Sequence, residues 1–146
     1  MTLWWEDFEV GSALDVGKHT FGADEIVAFG RQFDPQPYHA DPVAAKSSTF
    51  GGLIASGWHV CAAGMRMLTK QILGRTHTLG SPGVENVRWL KPVRAGDTLT
   101  STWTVTEVQP KPHHRGGVVV LTGVAVNQDG VTVAHALGKI LVRSRA

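Results

Sequence analysis

The sequence lacks most of what marks an exported or membrane-bound protein. It has a single cysteine, Cys61, so no disulfide can form within the chain. No run of about 18 apolar residues suggests a transmembrane helix, and the first residues lack the basic and apolar regions of a signal peptide. Charged residues make up only 18% of the chain, with a net charge of +2 and no basic stripe. We therefore expect a cytoplasmic protein with no membrane or nucleic-acid partner.

What is present is ordinary for a folded domain. The chain has 146 residues, 42% of them hydrophobic. A chain of this length buries roughly 68% of the surface that its unfolded form exposes, so it needs neither a metal nor a disulfide to hold a core. We predict one domain over residues 1–146, because no repeat or linker interrupts it.

The first half of the chain is rich in helix signals. Apolar residues at helical spacing predict a helix from Gly22 to Phe33, which must end near Asp34 because prolines follow. A short helix is predicted over Pro42–Lys46, with Asp41 as its N-cap. The longest helix is predicted from about Ser56 to Leu73, with Gly74 as its stop signal.

The second half predicts strands. Thr98 to Val108 alternates between threonines and apolar residues, which is typical of a half-buried strand. Further strands are expected at 84–90, 118–127 and 131–142, with a loop at 109–117 and a hairpin turn at Asp129-Gly130. Successive hairpins favour an antiparallel sheet and an α+β fold. Because the last two strands have apolar residues on both faces, we expect a homodimer to cover part of the sheet.

The segment Asp34–His39 is the strongest candidate for chemistry. A carboxylate and an imidazole lie five residues apart, with Pro35 and Pro37 between them. A turn stiffened by proline can hold both side chains at one point, and such a pair can orient and deprotonate a water near neutral pH. Downstream, Gly57 lies at the start of the long predicted helix, where unpaired N–H groups can stabilise an oxygen that becomes negative.

These segments resemble the MaoC-like hydratases and dehydratases, which include the R-specific enoyl-CoA hydratases. The family motif Asp-x-Asn-Pro-aliphatic-His is similar to Asp34–His39, and its later aliphatic-x-x-Gly is similar to Ile54–Gly57. Arg88–Leu99 and Phe8–Gly11 resemble the family's strand-turn-strand segment and its opening. Gln36 replaces the usual Asn and Tyr38 replaces an aliphatic residue, differences that would reshape an acyl pocket.

The resemblance implies a hotdog fold, with an antiparallel sheet wrapped around the long helix and single hotdogs paired as a homodimer. It implies that Asp34 and His39 activate water, that Gly57 N–H polarises a thioester carbonyl, and that the substrate contacts Gln36, Tyr38, Ala55 and Ser56. The implied reaction is reversible hydration of a trans-2-enoyl-CoA to an R-3-hydroxyacyl-CoA. An acyl-carrier protein could replace CoA, and the implied chemistry needs no cofactor or metal.

Other interpretations remain open at this stage. A hotdog thioesterase would use the same fold but direct water at the carbonyl, and a non-catalytic subunit would only bind acyl thioesters. A metal held by His59 with Asp34 and His39 is disfavoured, since the spacing matches no zinc pattern. His113 and His114 are expected in solvent. Cys61 is expected to be a small buried residue rather than a nucleophile.

Overall fold

A five-stranded antiparallel sheet and four α-helices make up the computed structural model, which describes residues 1–146. The α+β prediction is confirmed. None of the helices has the length and apolarity needed to cross a bilayer. The helices are α1 (Ala23–Phe33), α2 (Pro37–Ala40), α3 (Pro42–Lys46) and α4 (Gly57–Gln71), and the strands are β1 (Ala13–Thr20), β2 (Thr78–Trp89), β3 (Thr98–Lys111), β4 (Gly116–Val126) and β5 (Thr132–Arg143).

The strand order across the sheet is β1-β3-β4-β5-β2. Strands β3, β4 and β5 are joined by hairpins, as predicted. The expected strand-turn-strand unit around residues 94–97 is not a hairpin, however, because β2 pairs with β5 and not with β3. At the end of β2 the N–H groups of Leu90 and Lys91 both donate to the Val133 carbonyl. The chain then passes to β3, which lies next to β1 at the opposite edge of the sheet.

The predicted helices form close to their expected bounds. Helix α3 has the predicted range, and the Asp41 carboxylate caps it by accepting from the N–H groups of Val43 and Ala44. Helix α4 is shorter than predicted and ends before Ile72, so Gly74 is not its stop but lies in a following 3-10 turn. Ser56 is the N-cap residue of α4, but its hydroxyl makes no capping bond.

Two elements were not predicted, and one predicted loop is mostly strand. Strand β1 and the single-turn helix α2 were both missed. Strands β3 and β4 extend into residues 109–117, leaving only the 3-10 turn Pro112–His114 and Arg115 between them. Gly116 permits this extension, since a Cβ there would lie 2.0 Å from the Val142 carbonyl oxygen on β5.

Helix α4 packs along one face of the sheet and divides the core into two clusters. Near its C-terminal end, Leu68 packs with the residues Val105, Val119 and Leu121 of the sheet. Near its N-terminal end, Val60 and Ala63 pack with Phe21, which directly follows β1, with Ile26 of α1 and with Val133 of β5. The second cluster lies directly beneath the segments that carry Asp34, His39 and Gly57.

Strand β2 forms an edge of the sheet. Its pairing with β5 shifts register three times, around Gly80, Gly83 and Asn86, and all three residues have positive φ. The apolar side chains of Leu79, Val84 and Trp89 are exposed along it. This edge offers both unpaired backbone groups and apolar surface.

A close backbone contact sets the position of His39. Helix α1 packs on helix α2 at Gly30, where an added Cβ would lie 2.3 Å from the His39 carbonyl oxygen and 2.7 Å from its carbonyl carbon. Only a residue without a side chain allows α2 to come this close. Gly30 therefore links the last turn of α1, which leads to Asp34, to the turn that carries His39.

We expect Gly30→Ala to destabilise the protein by about 1–3 kcal/mol, because the new methyl group overpacks against backbone that cannot rotate away. Helix propensity alone predicts the opposite sign, a gain of roughly 0.5–1 kcal/mol. Gly64→Ala in α4 is the control, since a Cβ there meets no atom within 4 Å. Urea unfolding gives the free energy of unfolding of both variants. Equal stabilisation by the two substitutions would contradict the close contact at Gly30.

Candidate active site

Asp34 lies at the C-cap of α1, where its backbone leaves helical geometry and its N–H still donates to the Gly30 carbonyl. The carboxylate accepts two side-chain hydrogen bonds. Gln36 Nε2 donates to Oδ1 at 2.8 Å, and Ser56 Oγ donates to Oδ2 at 2.7 Å. Proline at position 35 ends the helix, so the carboxylate is held at a turn rather than on a helical face.

His39 lies on α2 and is 5% exposed. Its Nδ1 donates to the Ile54 carbonyl oxygen at 2.7 Å. A carbonyl oxygen only accepts, so Nδ1 carries the proton and Nε2 of the neutral ring has a free lone pair. This Nε2 lies 3.4 Å from Asp34 Oδ2.

The arrangement presents two acceptors side by side. A lone pair on Nε2 and a carboxylate oxygen at 3.4 Å cannot bond each other directly, but both can accept a hydrogen from the same water. A water held by both loses a proton to a base already in place. The predicted convergence of the carboxyl group and the imidazole is present in the structure, while their catalytic roles stay predictions.

The surroundings favour the ionised form of Asp34. Partial burial alone would raise the pKa of this carboxyl group, but the hydrogen bonds from Gln36 and Ser56, together with the nearby His39, outweigh it and lower the pKa below its ordinary value. Asp34 is therefore charged at neutral pH and acts as an acceptor. Ser56 Oγ contributes to this effect from a position that is 1% exposed.

Gly57 begins α4, and neither its N–H nor that of Trp58 has an acceptor within the chain. Such unpaired groups at the start of a helix favour negative charge. The indole of Trp89 packs over Gly57, and a Cβ on Gly57 would lie 2.3 Å from a ring carbon. A glycine is required for this contact, which the sequence did not predict.

These groups surround one cavity of about 700 Å³. Six of the seven predicted site residues line it: Asp34, Gln36, Tyr38, His39, Ala55 and Gly57. The seventh, Ser56, is buried behind the carboxylate and contacts Asp34 instead of the cavity. The remaining wall is mostly apolar and comes from residues that the sequence did not assign to the site, chiefly Trp58, Trp89, Leu90, Pro92, Val133 and Ala134.

The two departures from the family motif form a chain of hydrogen bonds. Tyr38 OH donates to Gln36 Oε1, and Gln36 Nε2 donates to Asp34 Oδ1. The Tyr38 ring also packs edge-on against His39 and Phe50. Gln36 and Tyr38 therefore orient the carboxylate as well as shape the cavity.

The other candidates lie elsewhere. His59 does not join Asp34 and His39, because its Nε2 lies 3.4 Å from a Glu25 carboxylate oxygen. His113 and His114 are exposed, as expected. Cys61 is half-buried, and burial raises the pKa of its thiol, which disfavours a thiolate nucleophile.

An antiparallel sheet packed around one long helix is the hotdog fold. The MaoC like domain family matches residues 8–128, and the chain belongs to this family. The crystal structure of a MaoC-like dehydratase from Rhodospirillum rubrum superposes with a TM-score of 0.89, at 37% identity over 99% of each chain.

Of two relatives that are similar in sequence, one is named after an activity and the other is not. An (R)-specific enoyl-CoA hydratase from Rhodospirillum rubrum is 30% identical over 74% of this chain and 73% of its own length. The Bacillus subtilis protein YdeM, whose name states no activity, is 26% identical over 94% of this chain and 97% of its own. Membership of the family therefore does not by itself specify which reaction this chain catalyses.

We expect Ser56→Ala to raise the pKa of Asp34, because the carboxylate loses one of the hydrogen bonds that favour its charged form. In the native protein Asp34 stabilises the fold above its ordinary pKa and loses that contribution as the pH falls through its lowered value. The Ser56→Ala variant should lose this stabilisation at a higher pH than the native protein does. Ser48→Ala is the control, since Ser48 bonds only backbone groups of Ala45 and Phe50. Carbon-13 NMR of the Asp34 carboxyl carbon measures the pKa of Asp34 in both variants. An unchanged pKa in Ser56→Ala would contradict the role given to the Ser56 hydrogen bond.

Proposed function

We propose that this protein is a hydro-lyase that adds water reversibly to a trans-2-enoyl-CoA and forms an R-3-hydroxyacyl-CoA. The observation that carries the proposal is the pair formed by Asp34 Oδ2 and His39 Nε2, 3.4 Å apart on the wall of an apolar cavity. Membership of the MaoC family and the relative named as an enoyl-CoA hydratase support it.

The proposed reaction needs only proton transfer and charge stabilisation. The water oxygen bonds to the β-carbon of the enoyl group, and one of its protons passes to the Asp34–His39 pair. The same pair then delivers a proton to the α-carbon on the same face, so the C=C bond becomes a single bond and atoms balance. Each such transfer is worth about 10²–10⁴ in rate.

Negative charge develops on the thioester oxygen while the α-carbon awaits its proton. We assign its stabilisation to the free N–H of Gly57 at the start of α4. The cavity's apolar walls suit an acyl chain, and Lys91 lies among the lining residues where it can meet a charged group of CoA. An acyl-carrier protein as the thioester donor remains the alternative within the same chemistry.

The proposed mechanism requires no cofactor. Proton transfer between water, a carboxylate and an imidazole is complete without redox or group-carrier chemistry. We therefore expect activity to survive extensive dialysis against a chelator. The cytoplasmic location stays a prediction from the sequence.

We expect Asp34→Asn and His39→Gln each to lower kcat for hydration of crotonyl-CoA or longer enoyl-CoAs by about 10²–10⁴, since each removes one of the two acceptors for water. The decrease in enoyl absorbance measures the rate. Asp41→Asn is the control for the first change, because Asn is an equally good N-cap and Asp41 holds only α3. His114→Gln is the control for the second.

Three outcomes would count against this proposal. Wild-type rates in both variants would remove Asp34 and His39 from the mechanism. Release of free thiol from saturated acyl-CoAs, detected with a thiol-reactive dye, would identify a thioesterase, since hydration frees no thiol. Tight binding of enoyl-CoAs with no turnover would indicate a non-catalytic binding subunit.

We also propose that the chain forms a homodimer through the edge strand β2. This strand exposes Leu79, Val84 and Trp89, and α4 exposes Trp58 and Met65. A small cavity of about 110 Å³ is lined by Val84, Trp89, Trp58 and Met65 together with residues of the neighbouring strands. Exposed apolar surface beside an unpaired strand edge favours a second copy of the same surface.

Val84→Lys is expected to shift the protein from dimer to monomer, because it places a charge in the proposed interface. Light scattering during gel filtration should give about twice the chain mass of 15.7 kDa for the wild type. Val43→Lys on α3, at a valine that is also exposed but lies away from β2, should leave the dimer intact. A monomeric wild type, or a dimeric Val84→Lys variant, would refute this interface.

A further inference from the structure

A second group of titratable side chains lies at the N-terminal ends of α1 and α4, apart from Asp34 and His39. His19 on β1, Glu25 on α1 and His59 on α4 place one donor atom each within 4.8 Å of one another. His19 Nε2 lies 3.0 Å from both carboxylate oxygens of Glu25, and His59 Nε2 lies 3.4 Å from one of them. We call these three residues the His19–Glu25–His59 cluster.

The donor set suits a divalent transition metal. Two imidazoles and one carboxylate are ligands that zinc takes in sites that keep an open position. Ligand atoms about 2.0–2.2 Å from a zinc ion lie roughly 3.0–3.6 Å from each other. The distances of 3.0 and 3.4 Å between Glu25 and the two imidazoles already fall in this range.

The cluster is held in place on one side and open on the other. His59 is 7% exposed, stacks on Phe29 with ring centroids 4.8 Å apart and meets Phe21 edge-on. Its ring cannot turn away without breaking these contacts. His19 and Glu25 are only part-buried, so an ion can reach the cluster from solvent and a small rotation of His19 can complete the site.

The outer surroundings limit the affinity. Glu25 Oε1 also accepts the Gly22 N–H, which fixes the carboxylate. His59 Nδ1 is buried and has no hydrogen-bond partner. When His59 Nε2 binds a metal, the proton must lie on Nδ1, and the missing acceptor for it weakens binding by about 10–100-fold relative to a fully supported site.

We infer that the His19–Glu25–His59 cluster is a binding site for one Zn²⁺ ion, with two imidazole nitrogens and a carboxylate as ligands and water completing the coordination. The three ligands come from β1, α1 and α4, so the ion joins the elements that lead to Asp34 and Gly57. Its role is to stabilise this arrangement, and it takes no part in the hydration chemistry.

The experiment uses the purified full chain, first treated with EDTA and then titrated with Zn²⁺ by calorimetry. We expect one ion per chain and a rise in Tm at saturating Zn²⁺, because a ligand that binds the folded state stabilises it. His19→Gln and Glu25→Gln should weaken binding at least about tenfold, since each removes one of three ligands. His113→Gln and His114→Gln, at two exposed histidines, are the controls and should bind like the wild type.

A second measurement does not depend on any variant. In imidazole nitrogen-15 NMR spectra of the wild type, Zn²⁺ should shift the resonances of His19 and His59 and leave those of His113 and His114 unchanged. No Zn²⁺ binding by the wild type, or full binding by both His19→Gln and Glu25→Gln, would overturn the inference. Activity is not the readout, so this result is independent of whether the protein is a hydratase.

Discussion

The structure depends on two hydrogen bonds that join the turn of α2 to Ile54, in the segment that leads into α4. His39 Nδ1 donates to the Ile54 carbonyl at 2.7 Å, and the Ile54 N–H donates to the Tyr38 carbonyl at 3.0 Å. The first bond decides which nitrogen of His39 carries the proton. Both bonds together hold the imidazole at a fixed distance from the start of α4. A carboxylate acceptor, an imidazole acceptor and free helix N–H groups consequently face one cavity.

The rest of the site surrounds this link with contacts that leave little freedom. Gly30 allows the backbone of α2 to lie against α1, and Ser56 and Gln36 hold the Asp34 carboxylate from two directions. Each contact replaces part of the ordering that a substrate would otherwise have to impose. The tight packing explains how a single-turn helix, which would be unstable alone, can hold the His39 ring in one position.

Features that depend on neighbouring residues were predictable from the sequence. Asp41 before Pro42 predicted the cap and bounds of α3, and the alternation from Thr98 predicted β3. The Asp34–His39 segment identified the site because both side chains and both stiffening prolines are close in the chain. Helix α2 was missed because four residues between prolines contain no periodic signal.

Features that depend on distant residues were not predictable. The bond from Ser56 to Asp34 spans 22 positions, and the packing of Trp89 on Gly57 joins an edge strand to a helix end. His19, Glu25 and His59 have no metal-ligand spacing, so only the fold brings them together. The place of β2 beside β5 also required the fold, since adjacency in the chain favoured pairing with β3.

The three register shifts along β2 limit which surfaces can pair with this edge of the sheet. Positive φ at Gly80, Gly83 and Asn86 bends the strand, so its outer edge offers only short stretches of aligned backbone groups. A long regular edge would accept strand after strand and allow filaments to grow. An edge interrupted in this way can match a surface of the same shape while offering no straight template for cross-β growth.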